Sequence, residues 1–156
     1  MRNRAVDILL VEPDGELAGM METCLAEAVQ GSVTVVADSN SALREELTTR
    51  HHVLVISMDL PGEDWSELAR ELRHTNRGPM ILLADNPSAS DLMQAMRLKA
   101  ADVLVKPFDL VTLAETVGQA STRALVRQRQ RARNRRLRRL TSRIVRERRD
   151  LRQRID

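Results

Sequence analysis

Val53-Leu54-Val55-Ile56-Ser57-Met58-Asp59-Leu60-Pro61-Gly62 is an apolar run that ends in a short polar turn. Continuous Val/Leu/Ile runs bounded by turn residues mark strands buried on both faces, as in parallel sheets covered by helices. In open α/β sheets, ligands sit just beyond the carboxyl ends of such strands. Ser57 and Asp59 fall there. A carboxylate at the place of Ser57 could hold a metal or attack phosphorus, whereas a hydroxyl with no neighbouring base does neither well.

The same alternation of apolar run and helical pattern recurs on both sides. Residues 6–11 predict a first strand, and 16–29 carry apolar residues at helical spacing. Asp14 is placed to begin that helix, where a negative charge meets the positive end of the helix dipole. Residues 33–37 predict a second strand, and Ser39 can cap a helix through about Thr49. The third strand, 53–56, precedes a helix near 66–74, and 80–83 predict the fourth. Ser88 and Asp91 stand three apart, a variant capping box that opens a helix to about Leu98. Residues 103–105 predict the fifth strand, and Asp109 caps a last helix whose stripe is Leu110, Leu113 and Val117. Strands alternating with helices require right-handed crossovers and a parallel sheet covered on both faces. The expected fold class is α/β: a five-stranded parallel doubly wound sheet over residues 1–122, with an extended C-terminal helix.

Composition narrows the function classes. The chain has 156 residues and 42% apolar content, yet its only aromatic residues are Trp65 and Phe108. Single-strand nucleic-acid readers display stacking aromatics, so that class is disfavoured for the body. No run of about 18 apolar residues and no signal peptide are present, so no membrane contact is expected. A single cysteine, Cys24, cannot make an internal disulfide and fits a reducing cytoplasm. Its spacing from Leu17, Met21, Leu25 and Ala28 predicts an inert core position. The net charge of +3 conceals an asymmetry. Residues 1–122 hold 10 Lys/Arg against 19 Asp/Glu, a net of −9, whereas 123–156 hold 15 Arg against three acids, a net of +12. An acidic body carries a basic tail.

The stretches Ile8-Leu9-Leu10-Val11-Glu12, Leu60-Pro61-Gly62 and Ala101-Asp102-Val103-Leu104-Val105-Lys106-Pro107-Phe108 resemble the receiver domain of bacterial two-component response regulators over about residues 5–120. The resemblance implies a flavodoxin-like, receiver-type fold and a role in signal transduction without enzymatic activity. In that family two acidic residues after the first strand and an aspartate after the third hold a divalent metal. The aspartate accepts a phosphoryl group, which a Thr or Ser after the fourth strand and a lysine after the fifth hold. Carried over by position, Glu12 matches the first acidic place, Pro13 the second, Ser57 the acceptor and Ala84 the Thr/Ser place. Val103 takes the place of an aromatic switch, and Lys106-Pro107 is retained, with a cis peptide bond as in the family. Trp65 and Lys99 stand where glycine is frequent, which predicts altered loops. The chain therefore resembles a degenerate receiver, with no intact phosphoacceptor and no cofactor. Weak Mg²⁺ binding would rest on Glu12 and Asp59 at best.

Bland readings accompany the sharp ones. Asp59 is either a displaced acceptor or a solvated loop carboxylate, and the second is preferred. Lys106 is expected to neutralise Glu12 or Asp59 rather than to clamp phosphate. Trp65 is either an exposed partner anchor or local packing over the pocket. His51, His52 and His74 lack metal spacing and are expected at the surface or at strand edges.

After Asp109 there is no proline, and Gly118 is the only glycine. One helix over 109–156 would run about 70 Å, so its far half must project or meet a partner. Leu137, Ile144 and Leu151 repeat every seven residues, and Leu140 and Ile155 extend the stripe, a short coiled-coil seam. Residues 123–156 are therefore expected to form an Arg-rich extension that dimerises or binds an effector or sensor protein. Nucleic acid or another polyanion is a competing partner, since clustered arginines suffice for phosphate neutralisation, and a solvated, partly frayed helix that contacts the acidic body of a neighbour is the third reading. Members of the family often carry an output domain beyond such a helix, and the sequence stops at Asp156, inside the pattern. The function expected is that of a regulatory module working through protein contacts and homodimerisation. The alternatives are phosphorylation on Asp59 and polyanion binding by the tail.

Overall fold

The structure is a computed structural model that describes residues 5–155; the side chain of Ile155, and with it one member of the expected seam, lies outside the described part. Five strands alternate with five helices. They are β1 (Asp7–Val11), α1 (Gly15–Val29), β2 (Ser32–Val36), α2 (Ser39–Thr48), β3 (Val53–Ser57), α3 (Trp65–Thr75), β4 (Met80–Ala84), α4 (Ala89–Arg97), β5 (Asp102–Val105) and α5 (Leu110–Ile155). The strands are parallel in the order β2-β1-β3-β4-β5. The order reverses between β1 and β3, where a doubly wound sheet opens its ligand crevice.

The central strands explain themselves. All five residues of β3 and of β4 are buried, as both faces must be when helices cover them. Leu9, Val11, Leu54, Ile56, Leu72, Met80 and Leu82 belong to one core cluster, with almost no aromatic contribution. Helix starts follow from short acceptors. Asp14 accepts from the N–H groups of Glu16 and Leu17, Asp64 from Ser66, and Ser88 and Asp91 form the expected capping box. Gly31 joins α1 to β2 where a Cβ would collide with the Val6 carbonyl oxygen, so only glycine fits.

Several expectations need correction. Ser39 does not cap α2; Asp38 does, in extended conformation, accepting from the Ser41 N–H, and Ser39 becomes the first helical residue. His51 is buried, not at the surface: its Nδ1 lies 2.7 Å from Glu46, and Asn76 donates to both Glu46 and the His51 carbonyl. Of the two readings of Trp65, local packing holds and the exposed anchor does not. Trp65 begins α3, buried in the core cluster, and its Nε1 donates to Asp91 at 3.1 Å. Lys99 keeps the left-handed backbone that glycine would favour, with φ of 55°. Cys24 is half-buried rather than in the core, its Sγ 3.5 Å from the Leu110 carbonyl oxygen.

The chain divides into two compact units, the first ending at Ala124 and the second beginning at Leu125. The described residues of the second, 125–155, are all helical. Within it Leu137, Leu140, Ile144 and Leu151 are each more than half exposed. Among the described residues no helix is long and apolar enough to cross a membrane.

Candidate functional site at the carboxyl edge of the sheet

Glu12 follows β1, Ser57 ends β3, Ala84 ends β4 and Lys106 follows β5, so four chain segments meet at one edge of the sheet. Backbone pairing fixes their heights. The Met58 N–H donates to the Leu83 carbonyl at 2.7 Å, and the Lys106 N–H donates to the Ala84 carbonyl at 2.7 Å. The Lys106–Pro107 peptide is cis.

The Lys106 ammonium is the hub. Its Nζ donates to Glu12 Oε1 at 2.8 Å and Oε2 at 3.1 Å, and to Ser57 Oγ at 3.3 Å. It also lies 3.5 Å from Asp59 Oδ2. The Glu12 side chain is fully buried while that of Lys106 keeps 17% of its surface, so the carboxylate depends on this ammonium for its charge balance. Ser57 Oγ also accepts from the Asp59 N–H at 3.1 Å, so both hydrogen bonds reach its lone pairs from donors.

Asp59 links two loops. Its Oδ2 accepts from the Asp85 N–H at 3.0 Å, just past β4, while Lys106 approaches the same oxygen. This contact is invisible to residue type, because the Asp85 donor is a backbone group. Asp59 is exposed on its other side. Ala84 is buried and supplies no hydroxyl, and Pro13 supplies no side-chain ligand. Val103, in β5, is half-buried against the core cluster. Among the described residues no three His, Cys, Asp or Glu side chains are grouped to hold a metal ion. The seam residues Leu137, Leu140, Ile144 and Leu151 belong to the second unit.

Residues 8–118 match the response regulator receiver domain family. The chain belongs to that family. It is 29% identical over 113 residues to the regulatory protein VanRB of Enterococcus faecalis, covering 72% of this chain and 51% of that protein. It is 30% identical over 123 residues to the transcriptional activator protein IrlR of Burkholderia pseudomallei, covering 78% and 52%. The chain thus spans about half the length of the curated relatives it matches. Among solved structures, a CheY-like receiver domain protein from Methanospirillum hungatei superposes with a TM-score of 0.74 at 17% identity, covering 79% of this chain and 98% of that one. The Francisella response regulator 1452 receiver domain gives 0.67 at 27% identity, covering 76% and 98%. The five-stranded parallel sheet is therefore the receiver fold, and the body is a signal-transduction domain.

Proposed function

We propose that this receiver does not take a phosphoryl group in the ordinary way and works instead as a contact-driven regulatory module that dimerises through its C-terminal helix. One observation carries the first half: the Lys106 ammonium is already shared among Glu12, Ser57 and Asp59. Magnesium requires near-octahedral oxygens, usually with one or two free carboxylates. Here the buried carboxylate has both oxygens engaged by an ammonium, its neighbour is a proline, and the strand-end oxygen is a neutral hydroxyl. These residues do not fit a tight metal site. Ser57 has no base to activate it. The helix half of the reading rests on the exposed Leu137, Leu140, Ile144 and Leu151 at heptad spacing. Residues 1–122 then act as the receiver body and 123–156 as the contact arm, in a cytoplasmic setting.

Incubation with a small phosphodonor and Mg²⁺, followed by intact mass, tests the pocket. No adduct is expected. Asp59, partly exposed and 3.5 Å from Lys106, favours one second reading, that of a displaced acceptor. An adduct that disappears in Asp59→Asn would establish it. Sedimentation of residues 1–122 beside 1–156 tests the arm, with a dimer expected only for the longer chain. Salt-sensitive retention on a nucleic-acid column that needs 123–156 would instead favour a polyanion partner.

A further inference from the structure

The apolar stripe of the second unit is ringed by like charges, with 15 Arg and three acidic residues between 123 and 156. A surface able to cover it needs an apolar centre and an acidic rim. The first unit carries such a surface. A shallow groove of about 640 Å³ runs between α1 and the first turn of α5, lined by Gly15, Glu16, Gly19, Met20, Glu27 and Leu110. Met20 is 51% exposed, and a Cβ added at Gly15 or Gly19 would meet nothing within 4 Å, so another helix can approach closely. The charged residues lining it are both glutamates, Glu16 and Glu27. Residues 5–43 contain seven Asp/Glu and no Lys or Arg, and 107–122 contain Asp109 and Glu115 and no basic residue.

We infer that this groove receives the arginine-rich helix of a second copy of the chain. The inference rests on the dimer reading above and names the surface that the arm meets. Spacing supports it. Glu16 and Glu27 are eleven residues apart, about three helical turns. The pair Arg143/Arg154 repeats that interval and flanks the stripe of Leu137, Leu140 and Ile144. A helix laid along the groove therefore sets an arginine against each glutamate while Leu137, Leu140 and Ile144 are available to Met20 and Leu110. Every copy carries one groove and one arm, so reciprocal exchange closes a two-fold dimer with neither surface left over.

Charge reversal in the full-length chain tests this by sedimentation equilibrium. Glu16→Arg/Glu27→Arg is expected to weaken self-association about tenfold, the yield of four exposed pairs, two at each groove, reversed to repulsion. Arg143→Glu/Arg154→Glu is expected to weaken it similarly. Mixed together, the two double variants present matched charges at both interfaces and should form a heterodimer as tight as the wild type. If the mixture associates no better than either variant alone, the groove assignment is overturned. Leu137→Asp/Ile144→Asp separates this from the underlying reading. Association lost there but unchanged in Glu16→Arg/Glu27→Arg keeps the dimer and removes the groove. Association unchanged in both variants removes the dimer reading as well.

Discussion

Lys106 and Glu12 form the one arrangement on which the pocket's charge depends. The Glu12 carboxylate is fully buried, and the ammonium bonds both of its oxygens. Removing one member of a buried pair costs more than the pair contributes, because the remaining charge stays uncompensated. Lys106→Met should therefore destabilise the domain by roughly 3 kcal/mol, read as a lower urea midpoint at unchanged slope. Glu12→Gln/Lys106→Met should recover most of that loss, because an amide carries no charge to compensate. A double variant as unstable as the single one would mean that Lys106 matters for something other than Glu12. Asp59 predicts differently. Its carboxylate ties the β3 end to the Asp85 N–H across two loops and is partly exposed, so Asp59→Ala should cost about 1 kcal/mol. The loss should appear mainly as faster hydrogen exchange at the Asp85 amide.

Helices α2, α3 and α4 have at their starts carboxylates that are stronger acids than usual. The Ser88 N–H, then the Trp65 indole, hold the Asp91 carboxyl below its ordinary 3.8, and the Ser66 hydroxyl and N–H do the same for Asp64. A carboxyl depressed in the folded state stabilises fully above its unfolded value. That contribution is lost as pH falls through the lower folded value. Asp91→Asn should therefore cost about 1 kcal/mol near neutrality and flatten part of the stability loss between about pH 5 and 2. Trp65 is the only tryptophan, so its emission reports this cap directly. Strand and helix identities were legible because buried parallel strands are continuous apolar runs, and boundaries moved by only a residue or two. The cap of α2 was misplaced by one position because Asp38 and Ser39 are both good cap residues, and only the backbone chose Asp38. Burial of His51 was illegible, since its partners Glu46 and Asn76 reach it from α2 and from beyond α3. In the site, the residue types at positions 12, 13, 57, 84 and 106 could be read in advance. The tether from Asp59 to a backbone N–H could not, because an amide leaves no mark in sequence.

Charge is divided along the chain as sharply as structure is, −9 over residues 1–122 and +12 over 123–156. That division makes ionic strength a discriminating variable, because the competing partners of the arm respond with opposite signs. Two arms paired along their own seam repel, so added salt screens the repulsion and tightens the dimer. An arm lying on an acidic groove is attracted, so added salt loosens it. The Debye length shrinks from about 30 Å at 0.01 M to about 3 Å at 1 M, which spans the distances at which exposed Arg and Glu side chains interact. Burial of Met20, Leu110 and the stripe residues is not screened and sets a floor under the affinity. The expected outcome is a dimer whose dissociation constant rises about tenfold between 0.05 and 0.5 M salt and then levels off. Sedimentation equilibrium across that range checks it. A constant that falls with salt would assign the contact to paired arms, while a steep linear dependence without a plateau would mark an anion-driven association lacking the apolar centre.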